Sequence, residues 1–266
     1  MKIYIAADFE GISGISNSWQ LEMDKPWHLE ARRLLMGDIN AAVQGVIDGG
    51  ATEVVIWDNH NGGHNVIMED LHEAADLIGG GPHNPRFPGL DSSFAGVLLI
   101  GYHAMAGTEA AVLDHTYDSE RIRSIAINGQ QMGEVELDAL WVGRLGVPII
   151  MVTGDDKVCT EARRFLTSAE VGIEIAIVKL GMQRNMAKVM SPKRAHRLIQ
   201  DTAKQALKLV GVARPFALAA PYEKRIVYTR SDYADGRTFD GKRIARADAT
   251  TVVYRSSDLV DILTMS

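Results

Sequence analysis

The sequence of 266 residues has one cysteine, no clustered run of Lys and Arg, and no long apolar stretch. Because Cys159 stands alone, neither an intrachain disulfide nor a cysteine-rich zinc site can form. Any metal must therefore be held by histidine and carboxylate side chains. The formal net charge of −6 argues against a nucleic-acid groove, which needs a basic footprint, so we expect a small molecule as the partner.

The N-terminus also lacks the features of a targeting or membrane segment. The text MKIYIAADFEG contains a short apolar run that ends in acidic residues. Such a run is too short for a signal-peptide core and far too short to span a bilayer. Since 46% of the residues are hydrophobic and 23% are charged, the composition is that of a globular protein. We expect a cytoplasmic protein without a membrane partner.

What the sequence does contain is an alternation of strand and helix patterns. Short apolar runs predict buried strands at Lys2–Ala7, Glu53–Trp57, Gly96–Ile100, Ser124–Ile127 and Val147–Thr153. Apolar residues at three-to-four spacing predict helices at Trp27–Asp48, Gly133–Leu145 and Asp155–Leu166. Strands that alternate with helices predict an α/β fold of three layers, in which a mainly parallel sheet is covered by helices on both faces.

The pattern changes in the last third of the chain. After about Val178 a helical stretch, Pro192–Leu209, is followed by the apolar segments Ala217–Arg230 and Thr251–Arg255. We therefore predict a catalytic α/β domain over residues 1–190 and a smaller α+β part over residues 191–266. No linker rich in Pro, Gly or Ser marks this boundary.

Side chains that suit metal binding follow the predicted strands. Asp8 and Glu10 come directly after the first strand and, two residues apart, share a face. His60 and His103 follow the second and third strands, and Glu134 begins a predicted helix. Because the carboxyl ends of parallel strands meet at one crevice, these five side chains are expected to converge. Imidazole and carboxylate ligands suit Zn²⁺ or Mn²⁺, and a set this large suits two ions.

Other readings of these residues stay open. His64 lies in the same loop as His60 and competes with it, and Glu134 has an alternative role in stabilising free N–H groups at a helix start. His115 is a spare histidine beside Asp114, which is either a turn residue or a group that orients the imidazole. The remaining histidines are expected at the surface: His28, His72, His83 and His196.

Several blocks of sequence carry a family resemblance. They occur in the order ADFEG, ARRLLMGDINAAVQG, WDNHNGGHN, GYHAMAG, LDHTY, INGQQMGEVELDA and VPIIMVTGDD. In this order and spacing the chain resembles the bacterial D-aminopeptidase family of the dipeptide-transport type, which are binuclear zinc peptidases. A late segment, DYADGRTFDGKRIARADATTVVY, is similar to the C-terminal part of the family.

The resemblance implies two zinc ions per chain and a homodecamer that cleaves short peptides with an N-terminal D-residue. It implies that Asp8 bridges the ions, that Glu10 and His103 complete one site, and that His60 and Glu134 complete the other. It also implies that His115 is the catalytic residue. The segment between His103 and His115 has an altered length in this chain, so the match of His115 depends on where that difference is placed.

The chemistry of these residue types also favours hydrolysis, independently of the family resemblance. A water shared by two cations ionises near neutral pH and attacks a carbonyl, while a histidine is suited to moving a proton to the leaving nitrogen. For His115 we prefer this acid/base role to a covalent one. Two other functions stay open: a binuclear hydrolase of another small amide or ester, and a non-catalytic peptide-binding accessory protein of transport.

Overall fold

The computed structural model describes residues 1–81, 85–167 and 171–265. In these residues the strands are β1 (Lys2–Ala7), β2 (Glu53–Asp58), β3 (Ala75–Ile78), β4 (Phe94–Tyr102), β5 (Ile122–Ile127), β6 (Gln130–Met132), β7 (Ile149–Asp155), β8 (Glu174–Gln183), β9 (Met186–Val189), β10 (Tyr222–Tyr228), β11 (Ile244–Arg246) and β12 (Thr251–Ser256). The α-helices are α1 (Pro26–Asp48), α2 (Glu134–Gly143), α3 (Asp156–Leu166), α4 (Pro192–Ala206), α5 (Ser231–Asp235) and α6 (Leu259–Thr264).

The larger sheet has seven strands in the order β3-β2-β1-β4-β7-β8-β9. All neighbouring pairs are parallel except β8 and β9, which form an antiparallel pair. The prediction of a mainly parallel sheet is therefore confirmed. Since β2, β1 and β4 are adjacent, the three segments that follow them leave the sheet at the same edge, side by side.

Helices cover both faces of this sheet, as the pattern predicted. On one face α1 and α4 pack over a buried layer that includes Ile3 and Ile5, and on the other α2 and α3 pack over a layer that includes Tyr4. The α1–α4 contact depends on Gly45, since a Cβ there would lie 2.3 Å from the backbone oxygen of Gln200. Such a distance is far below van der Waals contact, so only glycine permits this approach.

The second sheet is antiparallel and has five strands in the order β11-β12-β10-β5-β6. The predicted strand Ser124–Ile127 lies here, in β5, and not in the parallel sheet. Its direction reverses at Asn128-Gly129, where both residues have positive φ, 51° and 78°. An Asn-Gly pair with two positive φ values suits a tight two-residue hairpin, and this is the signal that separates β5 from the parallel strands.

The chain does not divide between the sheets at residue 190. Helix α4 lies after that residue but packs against α1 on the parallel sheet, whereas β5 and β6 lie before it and belong to the antiparallel sheet. The division into two domains stays a prediction; it followed the change of pattern along the sequence, which does not reveal long-range strand pairing. In the described part of the chain, no helix combines the length and apolar character needed to cross a bilayer.

Candidate metal centre

Asp8 and Glu10 lie on the segment that follows β1. This segment packs against the C-terminal end of β4. The Asp8 N–H donates to the oxygen of Ile100 at 2.8 Å, and the Gly11 N–H donates to the oxygen of Gly101 at 2.7 Å. At Gly11 a Cβ would lie 1.9 Å from the oxygen of Tyr102. The glycine of ADFEG is therefore required for a close backbone approach, which holds both carboxylates at the rim.

The loop after β2 places His60 beside these carboxylates. The Asp58 carboxylate accepts from the backbone N–H of Asn65 at 2.6 Å, and the Asn65 side-chain amide donates to the oxygen of His60 at 2.8 Å. Asp58 thus fixes the conformation of the loop through Asn65. His60 Nδ1 lies 3.2 Å from Asp8 Oδ1 and 3.0 Å from Glu10 Oε2.

His103 and Glu134 face the same cluster from β4 and α2. His103 Nδ1 donates to the oxygen of Ala104 at 3.1 Å, which leaves Nε2 for the cluster. This Nε2 lies 3.5 Å from Asp8 Oδ2 and 3.3 Å from Glu134 Oε1. Glu134 is the first residue of α2 and accepts from the backbone N–H of Tyr117 at 2.9 Å.

His115 lies directly against the cluster. Its Nδ1 donates to the oxygen of Leu113 at 2.9 Å, and its ring stacks on that of His103 with centroids 3.9 Å apart. Its Nε2 lies 3.9 Å from Glu10 Oε1 and 3.7 Å from Glu134 Oε1. All six predicted site residues are therefore within contact distance of at least one other member.

Opposite charges dominate the electrostatics of the cluster. Burial opposes ionisation of Glu134, but the charge of His103 lowers the pKa of this carboxyl to about 2. Burial also opposes protonation of His103, but the charge of Glu134 raises its pKa to about 10. For His60, the charge of Glu10 likewise outweighs burial and raises the pKa well above its usual range.

The pKa values of Asp8 and His115 shift in the opposite directions, upward for the carboxyl and downward for the imidazole. Burial, with the neighbouring charge of Glu10, raises the pKa of Asp8 to about 7. Burial and the charge of His103 lower the pKa of His115. For Glu10 itself, burial is outweighed by the charge of His60, which holds the pKa well below its usual range. The carboxylates thus favour positive charge close to them, on the protonated histidines or on a bound cation.

Two buried atoms in the cluster lack hydrogen bonds. Glu10 Oε2 and His103 Nε2 form ion-pair contacts, to His60 Nδ1 at 3.0 Å and to Glu134 Oε1 at 3.3 Å, but neither contact has the geometry of a hydrogen bond, although Glu10 and His103 are only 7% and 2% exposed. Ligand atoms of Asp8, Glu10 and His103 lie within 4.8 Å of one another, and so do those of His103, His115 and Glu134. Imidazole and carboxylate donors in this arrangement fit zinc.

The alternatives to these residues are placed elsewhere. His64 is exposed and does not line the cavity at the cluster, which leaves His60 as the histidine of this loop. Asp114 accepts from the Gly107 N–H at 2.7 Å and lies 3.4 Å from Arg184 Nε, so it holds its own loop and does not orient His115.

The expectation of a surface position is wrong for His28. This residue is buried because the first turn of α1 packs over the segment after β1, where the rings of His28 and Phe9 lie 5.8 Å apart. His196 is partly buried and lies 3.4 Å from Asp38. His83 lies outside the described residues.

One residue of the site had no signal in the sequence. A cavity of about 330 Å³ opens at the cluster, and Arg86 forms part of its wall together with Asn59 and Tyr117. Arg86 comes from the segment GGGPHNPRFP, whose composition predicts only a loop. Which way such a loop leads its side chains depends on tertiary packing, so spacing does not reveal this residue.

Comparisons with known proteins point to one family. The family model described as D-aminopeptidase matches residues 1–266. A D-aminopeptidase of Bacillus subtilis (strain 168) is 30% identical over 269 residues, covering 98% of this chain and 93% of the relative. The solved structure of the Zn-dependent D-aminopeptidase DppA from Bacillus subtilis, described as a self-compartmentalizing protease, superposes with a TM-score of 0.90 at 28% identity and covers 99% of this chain and 94% of that one.

Proposed function

This chain belongs to the D-aminopeptidase family, and from that premise we propose that it is a zinc-dependent aminopeptidase of short peptides that begin with a D-residue. The observation that carries the proposal is the buried cluster at the rim of the parallel sheet, with two ligand atoms that lack hydrogen bonds among the described residues. The Zn-dependence of the Bacillus subtilis enzyme of known structure supports zinc as the metal.

Two ions fit the five candidate ligands if Asp8 serves both. Glu10 and His103 would hold one ion, since their ligand atoms and those of Asp8 lie within 4.8 Å of one another. His60 and Glu134 would complete the other, as the family resemblance implies. The two oxygens of Asp8 face His60 and His103 respectively, as a shared ligand requires. This division gives each ion three protein ligands with a position open.

Bound zinc would polarise the scissile carbonyl and lower the pKa of water towards neutrality. The chain itself supplies the buried carboxylates of Asp8, Glu10 and Glu134 and the small cavity that they line. Small-molecule sites span ~300–1,000 Å³. At about 330 Å³ the cavity is near the lower end of that range, which favours short peptides.

His115 is the proposed proton-transfer residue. Because Nδ1 donates to Leu113, Nε2 is directed towards Glu10 and Glu134 at the centre of the site. From there it would deliver a proton to the departing nitrogen, which leaves poorly as an anion. The five other residues already provide both ions with protein ligands, so a sixth ligand is not required.

We also infer that the chain assembles with copies of itself, up to the homodecamer implied by the resemblance. The self-compartmentalizing character of the Bacillus subtilis enzyme supports assembly. Large apolar side chains near the start of α1 are exposed, among them Trp19 at 44%, Met23 at 62% and Leu29 at 47%. In sedimentation at micromolar concentration we expect species several times the chain mass of 29.1 kDa. A single-chain species alone would contradict this inference.

The function is tested by zinc analysis combined with hydrolysis of D-alanyl-D-alanine and L-alanyl-L-alanine. We expect about two zinc equivalents per chain, preference for the D-dipeptide, loss of activity with a chelator and recovery with zinc. One equivalent at full activity after zinc supplementation would contradict the two-ion site. Equal rates on both dipeptides would contradict the D-preference. Two bound ions without peptide hydrolysis would favour the accessory protein, or the other amide or ester hydrolase if such substrates are cleaved.

A further inference from the structure

The cavity wall carries one guanidinium that the proposed chemistry does not use. Arg86 is the only Lys or Arg among the described residues that line this cavity. The carboxyl groups of this wall belong to Asp8, Glu10 and Glu134. The side chain of Arg86 is only 13% exposed, so its contact with solvent is confined to a small part of its surface.

One edge of the Arg86 guanidinium is held by the carboxylate of Asp138. Nε donates to Asp138 Oδ1 at 2.5 Å and Nη2 donates to Asp138 Oδ2 at 2.7 Å. Asp138 is fully buried and also accepts from the Tyr102 hydroxyl at 2.7 Å. The Asn59 amide donates to that hydroxyl at 3.1 Å. A continuous chain of hydrogen bonds therefore connects Arg86 to the segment that carries His60.

Two aromatic rings limit the guanidinium further. Its Cζ lies 5.2 Å from the centre of the Trp57 ring and 5.1 Å from that of the Tyr117 ring. Cation–π contact at these distances favours the position that the Asp138 pair imposes. Nη1 has no hydrogen-bond partner in the described part of the chain. Within the described residues the free donors are thus Nη1 and the second hydrogen of Nη2, on a side chain that lines the cavity.

We propose that Arg86 binds the C-terminal carboxylate of the peptide substrate and thereby selects dipeptides and other very short peptides. A free peptide has one cationic and one anionic end. In an aminopeptidase the amine end lies at the metal centre, so the carboxylate needs a cation elsewhere on the wall, and Arg86 is the cation present. A guanidinium offers two parallel N–H donors that match a carboxylate, and one that is already immobilised loses little side-chain entropy on binding.

This inference rests on the proposed function and is tested by comparing acid and amide substrates. The substrates are D-alanyl-D-alanine and D-alanyl-D-alaninamide, which share the scissile bond and differ in the terminal charge. For Arg86→Gln we expect kcat/KM on the acid to fall by about 10–100-fold, mainly through KM, because charge-assisted hydrogen bonds are lost. On the amide we expect a change of about twofold or less, since that substrate has no carboxylate to lose.

Two further variants keep the test decisive. Arg86→Gln leaves the Asp138 carboxylate buried without its partner; if it folds poorly, Arg86→Gln with Asp138→Asn removes that charge and should show the same split between substrates. Arg255→Gln is the matched control, because Arg255 lies in the antiparallel sheet, pairs with Glu223 at 2.9 Å and is 47% exposed. It should leave the ratio of acid to amide unchanged.

The outcomes separate this inference from the function itself. Equal losses on the acid and the amide in the Arg86 variants would overturn it, as they would show that Arg86 acts through the Asp138 network. A wild-type enzyme that prefers the amide would overturn it as well. Failure of the proposed function would look different, because the wild-type protein would then hydrolyse neither substrate.

Discussion

The two sheets of this chain accommodate buried charge in different ways. At the rim of the parallel sheet, carboxylates and imidazoles face one another, and their charges hold the pKa of Glu134 near 2 and that of His103 near 10. In the antiparallel sheet, Lys224 of β10 is buried and donates to the backbone oxygens of Ile262 and Met265. Burial alone lowers its pKa to about 8.

The difference follows from topology. Parallel strands end at one edge, so the residues after β1, β2 and β4 gather polar side chains from distant parts of the sequence. Neighbouring antiparallel strands end at opposite edges, so such groups stay apart. Changes at the parallel rim should therefore alter metal binding and activity, whereas changes in the antiparallel sheet should alter stability alone.

The largest effect is expected for Asp8→Ala. As the proposed shared ligand, Asp8 serves both ions, so the variant should lose both and with them about 10³-fold or more in turnover. Glu10→Ala should lose one ion. Metal content and peptide hydrolysis are the measurements. The control is Glu223→Gln, which removes an exposed carboxylate of β10 that pairs with Arg255 at 2.9 Å and should change neither. An Asp8→Ala protein with two ions and normal turnover would contradict the shared role.

His115→Ala should separate catalysis from metal binding at the rim. We expect both ions and the fold to persist, while hydrolysis of a short peptide falls by ~10²–10⁴-fold, the usual contribution of a proton donor. A peptide anilide with an activated leaving group needs less protonation and should recover part of the rate. Loss of one ion would make His115 a ligand. Unchanged rates on both substrates would end its catalytic role.

Much of the rim was predictable because strand ends are visible in the sequence. Asp8, Glu10, His60 and His103 each follow an apolar run, and the carboxyl-edge rule places them together, as the structure does. The family and its peptidase class, identified from the ordered blocks, are confirmed by the comparisons. The roles of the individual residues stay predictions, and so does the number of ions.

The parts that were not predictable depend on tertiary contacts. Arg86 enters the wall through its pair with Asp138, a residue 52 positions away, and nothing in a Gly- and Pro-rich loop indicates that partner. The burial of Lys179, whose ammonium fixes the segment after β1, is equally hidden. By contrast, Asn128-Gly129 is a hairpin signal within the sequence itself, and the prediction of Ser124–Ile127 as a strand of the parallel sheet did not use it.

Lys179→Met gives a smaller effect that sharpens the comparison of the sheets. The Lys179 ammonium donates to the oxygens of Glu10 at 2.5 Å, Ile12 at 3.0 Å and Ile15 at 2.7 Å. Without it the segment that presents Glu10 loses its support, and zinc affinity should fall by ~10–100-fold, as for other outer-shell partners. Competition with a chelator measures this. Lys224→Met, the same change in the antiparallel sheet, should leave zinc affinity unchanged, and an equal loss there would contradict the separation.

The smallest effect concerns the pH dependence that Lys224 gives to folding. Its pKa falls from 10.5 to about 8 in the folded chain, so the unfolded chain binds more protons between these values. The free energy of unfolding should therefore rise with pH across that window, while below about pH 8 the full cost of the buried charge is present. Between about pH 7.5 and 9.5 this single group should raise the free energy of unfolding by about 2 kcal/mol.

Urea denaturation of wild type and Lys224→Met at both pH values measures this contribution. The pKa of Lys179 is also lowered to about 8 by burial, but that group titrates in both proteins and cancels in their difference. Tyr254, whose ring lies 6.0 Å from the Lys224 ammonium, has a pKa raised by burial and stays neutral in this range. The wild-type protein should gain about 2 kcal/mol more than the variant on going to the higher pH. Equal gains would show that Lys224 keeps its unfolded-state pKa in the folded chain, as a solvated ammonium does, and the contrast between a compensated cluster and an isolated buried charge would then fail.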